Sequence, residues 1–193
     1  MFWHRFSLRR IFTKRIRKLA DSGHYKKALR LCERLLTLYP NSPKVHCELG
    51  FLYLCLGMPD VSLFHSHKAI SLFEGDDFGP IMNGAIAHIH LQRPLLAVQY
   101  FNRAEELKDQ VPMVEYGKLL MFRAEARRDI VKRGLTNKPV EQISFAMQDL
   151  NAGEYVFMEC DNDTADFWIK QILGRRKDIE SLRDIRLTDI GRG

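Results

Sequence analysis

Bulky and small residues recur along the first half of the chain at a spacing of 34 or 35 residues. Leu19, Gly23, Tyr25, Ala28, Leu35 and Leu38 are followed 34 residues later by Tyr53, Gly57, Pro59, Ser62, Ala69 and Leu72, with size class kept at most positions. A further step of 35 carries Leu49, Gly50, Tyr53, Ser62, Ala69 and Leu72 to Gly84, Ala85, His88, Ala97, Ala104 and Leu107. A fixed period in this range marks stacked supersecondary units, none of which can bury its apolar face alone. The pattern predicts three helix pairs, over residues 9–42, 43–76 and 78–111, behind an N-terminal extension of residues 1–8. Small residues fall where helices cross and backbones must approach, while Leu, Tyr and Phe fill the grooves between them. Gly23 and Gly57 stand where the first helix of a pair needs a left-handed cap, and Pro40, Pro43 and Pro94 fall at turns or first helical positions.

After Val111 the small-residue pattern stops. Pro112 to Arg133 reads as one long helix, with Met113, Gly117, Leu120, Ala124 and Val131 along a stripe that covers the open end of the third pair. Gly134 to Pro139 is a break, Val140 to Leu150 a second helix, and Asn151-Ala152-Gly153 a turn. Asp161 to Thr164 supply cap residues for a helix through Phe167, Trp168, Ile169, Ile172 and Leu173. Beyond Gly174, the alternating charges of Arg175 to Arg186 predict a solvated helix, which closes a capping region of residues 112–186 and leaves 187–193 as a mobile tail.

The repeat resembles the tetratricopeptide repeat (TPR) family, whose unit is two antiparallel helices with a Leu-Gly pair and an aromatic on the first and small residues on the second. Leu49, Gly50, Tyr53, Gly57, Ala69 and Leu72 carry the resemblance best; the first repeat has Arg15-Ile16 in place of Leu-Gly, so its first helix is atypical. The resemblance implies an all-α fold, a right-handed α-solenoid of about three TPR-like helix pairs with extra C-terminal capping helices. It also implies that partners bind a concave surface lined by the first helix of each pair. In that register the inward positions are Arg10, Thr13, Arg17 and Asp21 in repeat 1, Lys44, Cys47, Phe51, Leu54 and Cys55 in repeat 2, and Met82, Ile86, Ile89 and His90 in repeat 3. Some family members grip a C-terminal carboxylate with Lys and Asn on these helices. Here Thr13, Arg17, Glu48, Gly79 and Asn83 occupy those positions, so that clamp is absent. A groove basic at one end and apolar over the rest suits an apolar or amphipathic segment of another protein, as an adaptor, assembly factor or chaperone would bind. The chain's own Tyr155 to Met158 and Phe167-Trp168 are bulky enough to fill the same groove.

Charge adds a second theme. The net charge is +6, and the first twenty residues contain five Arg and two Lys but no Asp or Glu. Leu8, Ile11, Phe12, Ile16 and Leu19 form one apolar stripe among these cations, which makes a basic amphipathic helix. Three roles fit it: the first helix of repeat 1 packed on the second, an interfacial anchor, or an Arg-rich mitochondrial targeting segment. As an anchor, Phe2, Trp3 and Phe6 would enter lipid while Arg5 and Arg9 meet anionic headgroups. As a targeting segment, its cleavage would remove half of repeat 1. The anchor reading goes with an alternative function, a peripheral membrane scaffold that self-assembles through its repeat ends. RNA is a further partner class that the charge raises, disfavoured because the cations are not interleaved with aromatics repeat by repeat.

No apolar run approaches the roughly 18 residues of a membrane span. Cys32, Cys47, Cys55 and Cys160 form no CxxC pair and read as reduced thiols in the cytoplasm. His65-x-His67 and His88-x-His90 are two residues apart, so on a helix they point about 200 degrees apart and cannot chelate one metal. With no phosphate loop, nucleophile elbow or paired-carboxylate motif, the expectation is a non-enzymatic module that uses neither metal nor cofactor.

Overall fold

The computed structural model describes residues 2–160 and 163–190, with side chains described for 12–160 and 165–183. Among the described residues there are nine α-helices and no strand. The helices are α1 (Phe2–Asp21), α2 (Tyr25–Leu38), α3 (Pro43–Cys55), α4 (Pro59–Leu72), α5 (Phe78–His90), α6 (Pro94–Glu105), α7 (Met113–Lys132), α8 (Pro139–Met158) and α9 (Asp163–Ile190), with a 3-10 turn at Lys108–Gln110. None is long and apolar enough to cross a membrane. The chain divides into two compact units, Met1–Leu91 and Gln92–Gly193.

The first unit holds α1 to α5. Ile16 and Ala20 of α1, Ala28, Cys32 and Leu35 of α2, and Val45, Leu49 and Leu52 of α3 form one buried cluster. The small positions of the repeat do what their size allows. A Cβ added at Gly50 would lie 3.0 Å from Ser66 Oγ and 3.5 Å from the Ser62 carbonyl, so α3 rests almost backbone to backbone on the small face of α4. The helix ends follow the glycines. Gly23 (φ 73) and Gly57 (φ 72) are left-handed, and in each case the next amide closes on a carbonyl five residues back, His24 on Leu19 and Met58 on Tyr53.

The second unit holds α6 to α9. Gln92 is left-handed (φ 58) after α5, where glycine ends α1 and α3, and Gly134 (φ 65) ends α7 with the Leu135 amide on the Ile130 carbonyl. Its core joins Met121, Ala124 and Val131 of α7 with Ile143, Ala146, Leu150 and Phe157 of α8 and Ala165, Ile172 and Ile179 of α9. α7 and α8 pack along their length, and α9 packs on both.

Three sequence expectations are corrected in this unit. Asn151-Ala152-Gly153 is not a turn, because α8 runs unbroken from Pro139 to Met158. A Cβ on Gly153 would meet Ile172 Cδ1 at 3.3 Å, Leu120 Cβ at 3.5 Å and the Gly117 carbonyl at 3.6 Å, so this glycine serves the crossing of three helices. Nor does the last helix restart at Gly174. α9 continues through it to Ile190 with Ile172 and Ile179 both fully buried, because residues seven apart share a face that the intervening charges do not occupy. Residues 187–190, read from sequence as tail, belong to this helix.

Candidate functional site

The first helices of the repeats are neighbours, as a groove requires. α3 packs on α5, and the contact is specific at its start. Asn83 Nδ2 donates to the Cys47 carbonyl at 3.0 Å, and a Cβ on Gly79 would lie 2.9 Å from Cys47 Sγ. α1 is tied to α3 by Arg17, whose Nε and Nη2 both reach Glu48 Oε1, at 2.9 and 2.8 Å. The Glu48 charge raises the Arg17 pKa further above its ordinary value. Four positions that replace the carboxylate clamp, Arg17, Glu48, Gly79 and Asn83, therefore hold first helix to first helix.

The sequence-predicted residues distribute unevenly along this wall. Phe51 is 41% exposed, Leu54, Ile86 and Ile89 are half-buried, and Lys44 and His90 are exposed. Phe51 and Leu54 lie one turn apart on α3, and Ile86 and Ile89 lie likewise on α5, offset by the 35-residue period. Thr13 is half-buried on α1 and Asp21 exposed. The side chains of Arg10 and of the lipid candidates Phe2, Trp3, Arg5, Phe6 and Arg9 lie outside the described residues.

Three members differ from the reading as groove lining. Met82 is only 7% exposed, drawn into the packing of α5. Cys47 is enclosed between α3 and α5, and burial together with the Glu48 charge pushes its thiol up to about 12. Cys55 meets Tyr25 of α2 instead of looking toward α5. Cys32 is likewise pushed up to about 12 by burial. Neither Cys32 nor Cys47 is a thiolate at neutral pH, which removes both as nucleophiles. Among the described residues no three His, Cys, Asp or Glu side chains converge so as to hold a metal ion.

The structure also brings together groups that the sequence did not single out. His46 of α3 and His65 of α4 face each other with Nδ1 to Nδ1 at 2.9 Å, and His46 Nε2 lies 3.0 Å from the Pro40 carbonyl. A carbonyl only accepts, so His46 carries its proton on Nε2, its Nδ1 accepts, and His65 donates from Nδ1. Burial and the neighbouring ring hold His65 down at about 4, which keeps the His65 ring neutral. Tyr53 stacks on His65 at 5.5 Å. This pair fixes the first helix of repeat 2 on its second, behind Phe51.

In the second unit Arg123 is 5% exposed, and all five of its N–H groups are used. Nε and Nη2 donate to Asp149 of α8 at 3.1 and 2.7 Å, Nη1 to Asn102 and Glu105 of α6 at 3.1 and 2.5 Å, and Nη2 again to Glu105 at 3.1 Å. Burial pushes the Asp149 carboxyl up against the pull of the arginines. The hydrogen bonds from Arg123 hold Glu105 down. The group locks three helices and leaves no free acid or base for chemistry. A cleft of about 450 Å³ opens between α8 and α9, lined by Val140, Ile143 and Met147 with Glu180 and Arg183 at its edge.

No protein-family model matches the chain, and no curated protein matches it. Solved structures do. A crystal structure of MamA is 14% identical with a TM-score of 0.54, over 89% of this chain and 95% of that one. YrrB, described as a TPR protein with an unusual peptide-binding site, is 13% identical with a TM-score of 0.57, over 91% and 90%. A Podosopora anserina putative kinesin light chain with nearly identical TPR-like repeats is 13% identical with a TM-score of 0.57, over 95% and 96%. The fold is that of a tetratricopeptide-repeat solenoid. These likenesses cover 91% and 95% of the chain, well beyond the three repeats legible in sequence.

Proposed function

We propose that the protein is a non-enzymatic protein-interaction module that receives an apolar or amphipathic segment of another protein along the α3–α5 wall. The observation that carries this reading is the row formed by Phe51, Leu54, Ile86 and Ile89. These are large apolar side chains left partly open to solvent on adjoining helices whose other large apolar residues, the half-buried Tyr53 apart, are buried. Helix-in-groove recognition uses anchors of this kind at successive turns. Lys44 and Arg17 at the other end of the wall favour an acidic terminus on the bound segment, although Arg17 is shared with Glu48.

The unusual peptide-binding site of YrrB supports a peptide ligand by analogy of fold. Of the alternative occupant, the chain's own C-terminal residues, Tyr155, Met158 and Phe167 are exposed, while the others are committed to the second unit. Val156 and Phe157 are buried in the core of the second unit, and Trp168 stacks on Phe157 at 6.1 Å.

Phe51→Glu places a charge in the row at its most exposed member, without touching the buried face of α3. Affinity for a partner captured by the intact chain is expected to fall at least tenfold, about 1.4 kcal/mol, with the circular-dichroism spectrum unchanged. Undiminished capture by a folded Phe51→Glu protein contradicts the assignment.

A further inference from the structure

The positive charge of the chain is concentrated on its first helix pair. Residues 1–42 hold eleven of the thirty Lys and Arg but two of the twenty-four Asp and Glu, a net of +9, while residues 43–193 sum to −3. Lys14, Arg15 and Lys18 of α1 and Lys26, Lys27, Arg30 and Arg34 of α2 are all exposed. Among the described cations of this pair, Arg17 reaches an acid, Glu48. On α2, Lys26, Arg30 and Arg34 are four residues apart and run as one row opposite the buried Ala28, Cys32 and Leu35. Like charges at this spacing destabilise a helix, so the row is not accounted for by the stability of α2. It is suited to an anion outside the molecule.

The N-terminal stretch of the same pair is aromatic in sequence. α1 has 20 residues and α2 has 14, and only residues 22–24 separate them, so they run antiparallel. The six extra residues take Phe2 to Ser7 about 9 Å past the end of α2. This stretch contains Phe2, Trp3 and Phe6, and Leu38, the last residue of α2, is 63% exposed at that end.

We propose that the α1–α2 pair docks the protein on an anionic lipid bilayer. The cations of both helices meet the headgroups, and the aromatic N-terminal stretch of α1 supplies the apolar contact. Stable interfacial binding takes two signals, and a polybasic face beside an apolar end provides both. A second copy of the chain is a poorer counterpart, because its residues 43–193 sum to only −3 against the +9 of this pair. A nucleic acid is poorer too, because Tyr25 and Tyr39, the aromatics nearest the α2 row in sequence, are half-buried and provide no open stacking platform. The proposal is independent of the α3–α5 groove, since the row lies on a second helix.

Two triple variants of equal net charge separate the face from the total charge. Lys26→Glu/Arg30→Glu/Arg34→Glu removes the row, and Lys132→Glu/Lys170→Glu/Lys177→Glu removes three exposed cations of α7 and α9. The probe is co-sedimentation of the full chain with vesicles of phosphatidylcholine alone or with about a third phosphatidylglycerol, with helicity checked for each protein. The unaltered chain is expected to sediment with the anionic vesicles and not the neutral ones. The row variant is expected to bind more than tenfold more weakly, and the α7/α9 variant nearly as well as the unaltered chain. No binding to anionic vesicles, equal losses in the two variants, or binding to a single-stranded RNA oligonucleotide without binding to vesicles each overturns the proposal.

Discussion

Arg123→Met is expected to destabilise the second unit by about 3–5 kcal/mol. Methionine has the length of the arginine stem but none of its five donors, so the Asp149 carboxylate, on a residue 6% exposed, loses its bidentate partner. Only Arg127 Nε remains near it, at 3.4 Å. The Glu105 side chain is 35% exposed and can turn to water, so most of the cost arises at Asp149. If that is the cause, Arg123→Met combined with Asp149→Leu recovers most of the loss, because no buried charge is left unpaired.

The deficit also has a sign in pH. Burial already holds Asp149 above the usual carboxylate range, and losing Arg123 raises it further. The folded variant then keeps a proton that the unfolded chain has released, so its stability falls as pH rises through the folded pKa and improves on acidification. Urea unfolding of the single and double variants at two pH values measures all three statements. A double variant as unstable as Arg123→Met contradicts the account.

Gly117→Val is expected to lose about 3 kcal/mol or more, beyond the usual range for an overpacked core position. Even the first atom added at Gly117 would lie 2.7 Å from Phe157 Cζ and 2.9 Å from Cε1. Phe157 is fully buried and stacked with Trp168, so its ring cannot retreat without moving α9. Helix propensity acts in the opposite direction, since almost any residue is favoured over glycine by up to about 1 kcal/mol. A measured loss is thus a lower bound on the clash. Adding Phe157→Leu to Gly117→Val should return part of the stability by opening the space, and thermal melts of the single and double variants read the difference.

The fold of the repeats was legible because it is written in sizes. Gly23 and Gly57 mark left-handed helix ends, and Gly50 marks the crossing with α4 at Ser62 and Ser66, each for a reason that one residue type satisfies. The same rule misled at Gly153, where glycine serves a crossing inside a helix and local composition cannot tell that from a turn. Arg123 and Asp149 were invisible for a different reason. A charge on a helix reads as solvated unless its partners are known, and those partners lie 18 to 26 residues away.

At the groove, the period placed Phe51, Leu54, Ile86 and Ile89 on adjoining stripes, but it carries direction around a helix and not distance between helices. Cys47 and Met82 have inward directions and are closed off because α5 lies so close to α3 at Gly79. The Arg17–Glu48 pair is a case between these, since both positions were singled out but their contact was not.

The α3–α5 wall as partner site is tested most directly by site-specific photo-crosslinking in cells. A photoreactive phenylalanine analogue is placed at Phe51 or, on the second helix of the same repeat, at Phe64, which is 63% exposed against 41% for Phe51. The more exposed position crosslinks more readily to anything met by chance. The account predicts a discrete partner adduct from position 51 and none from position 64; the same adduct from 64 with none from 51 would contradict it.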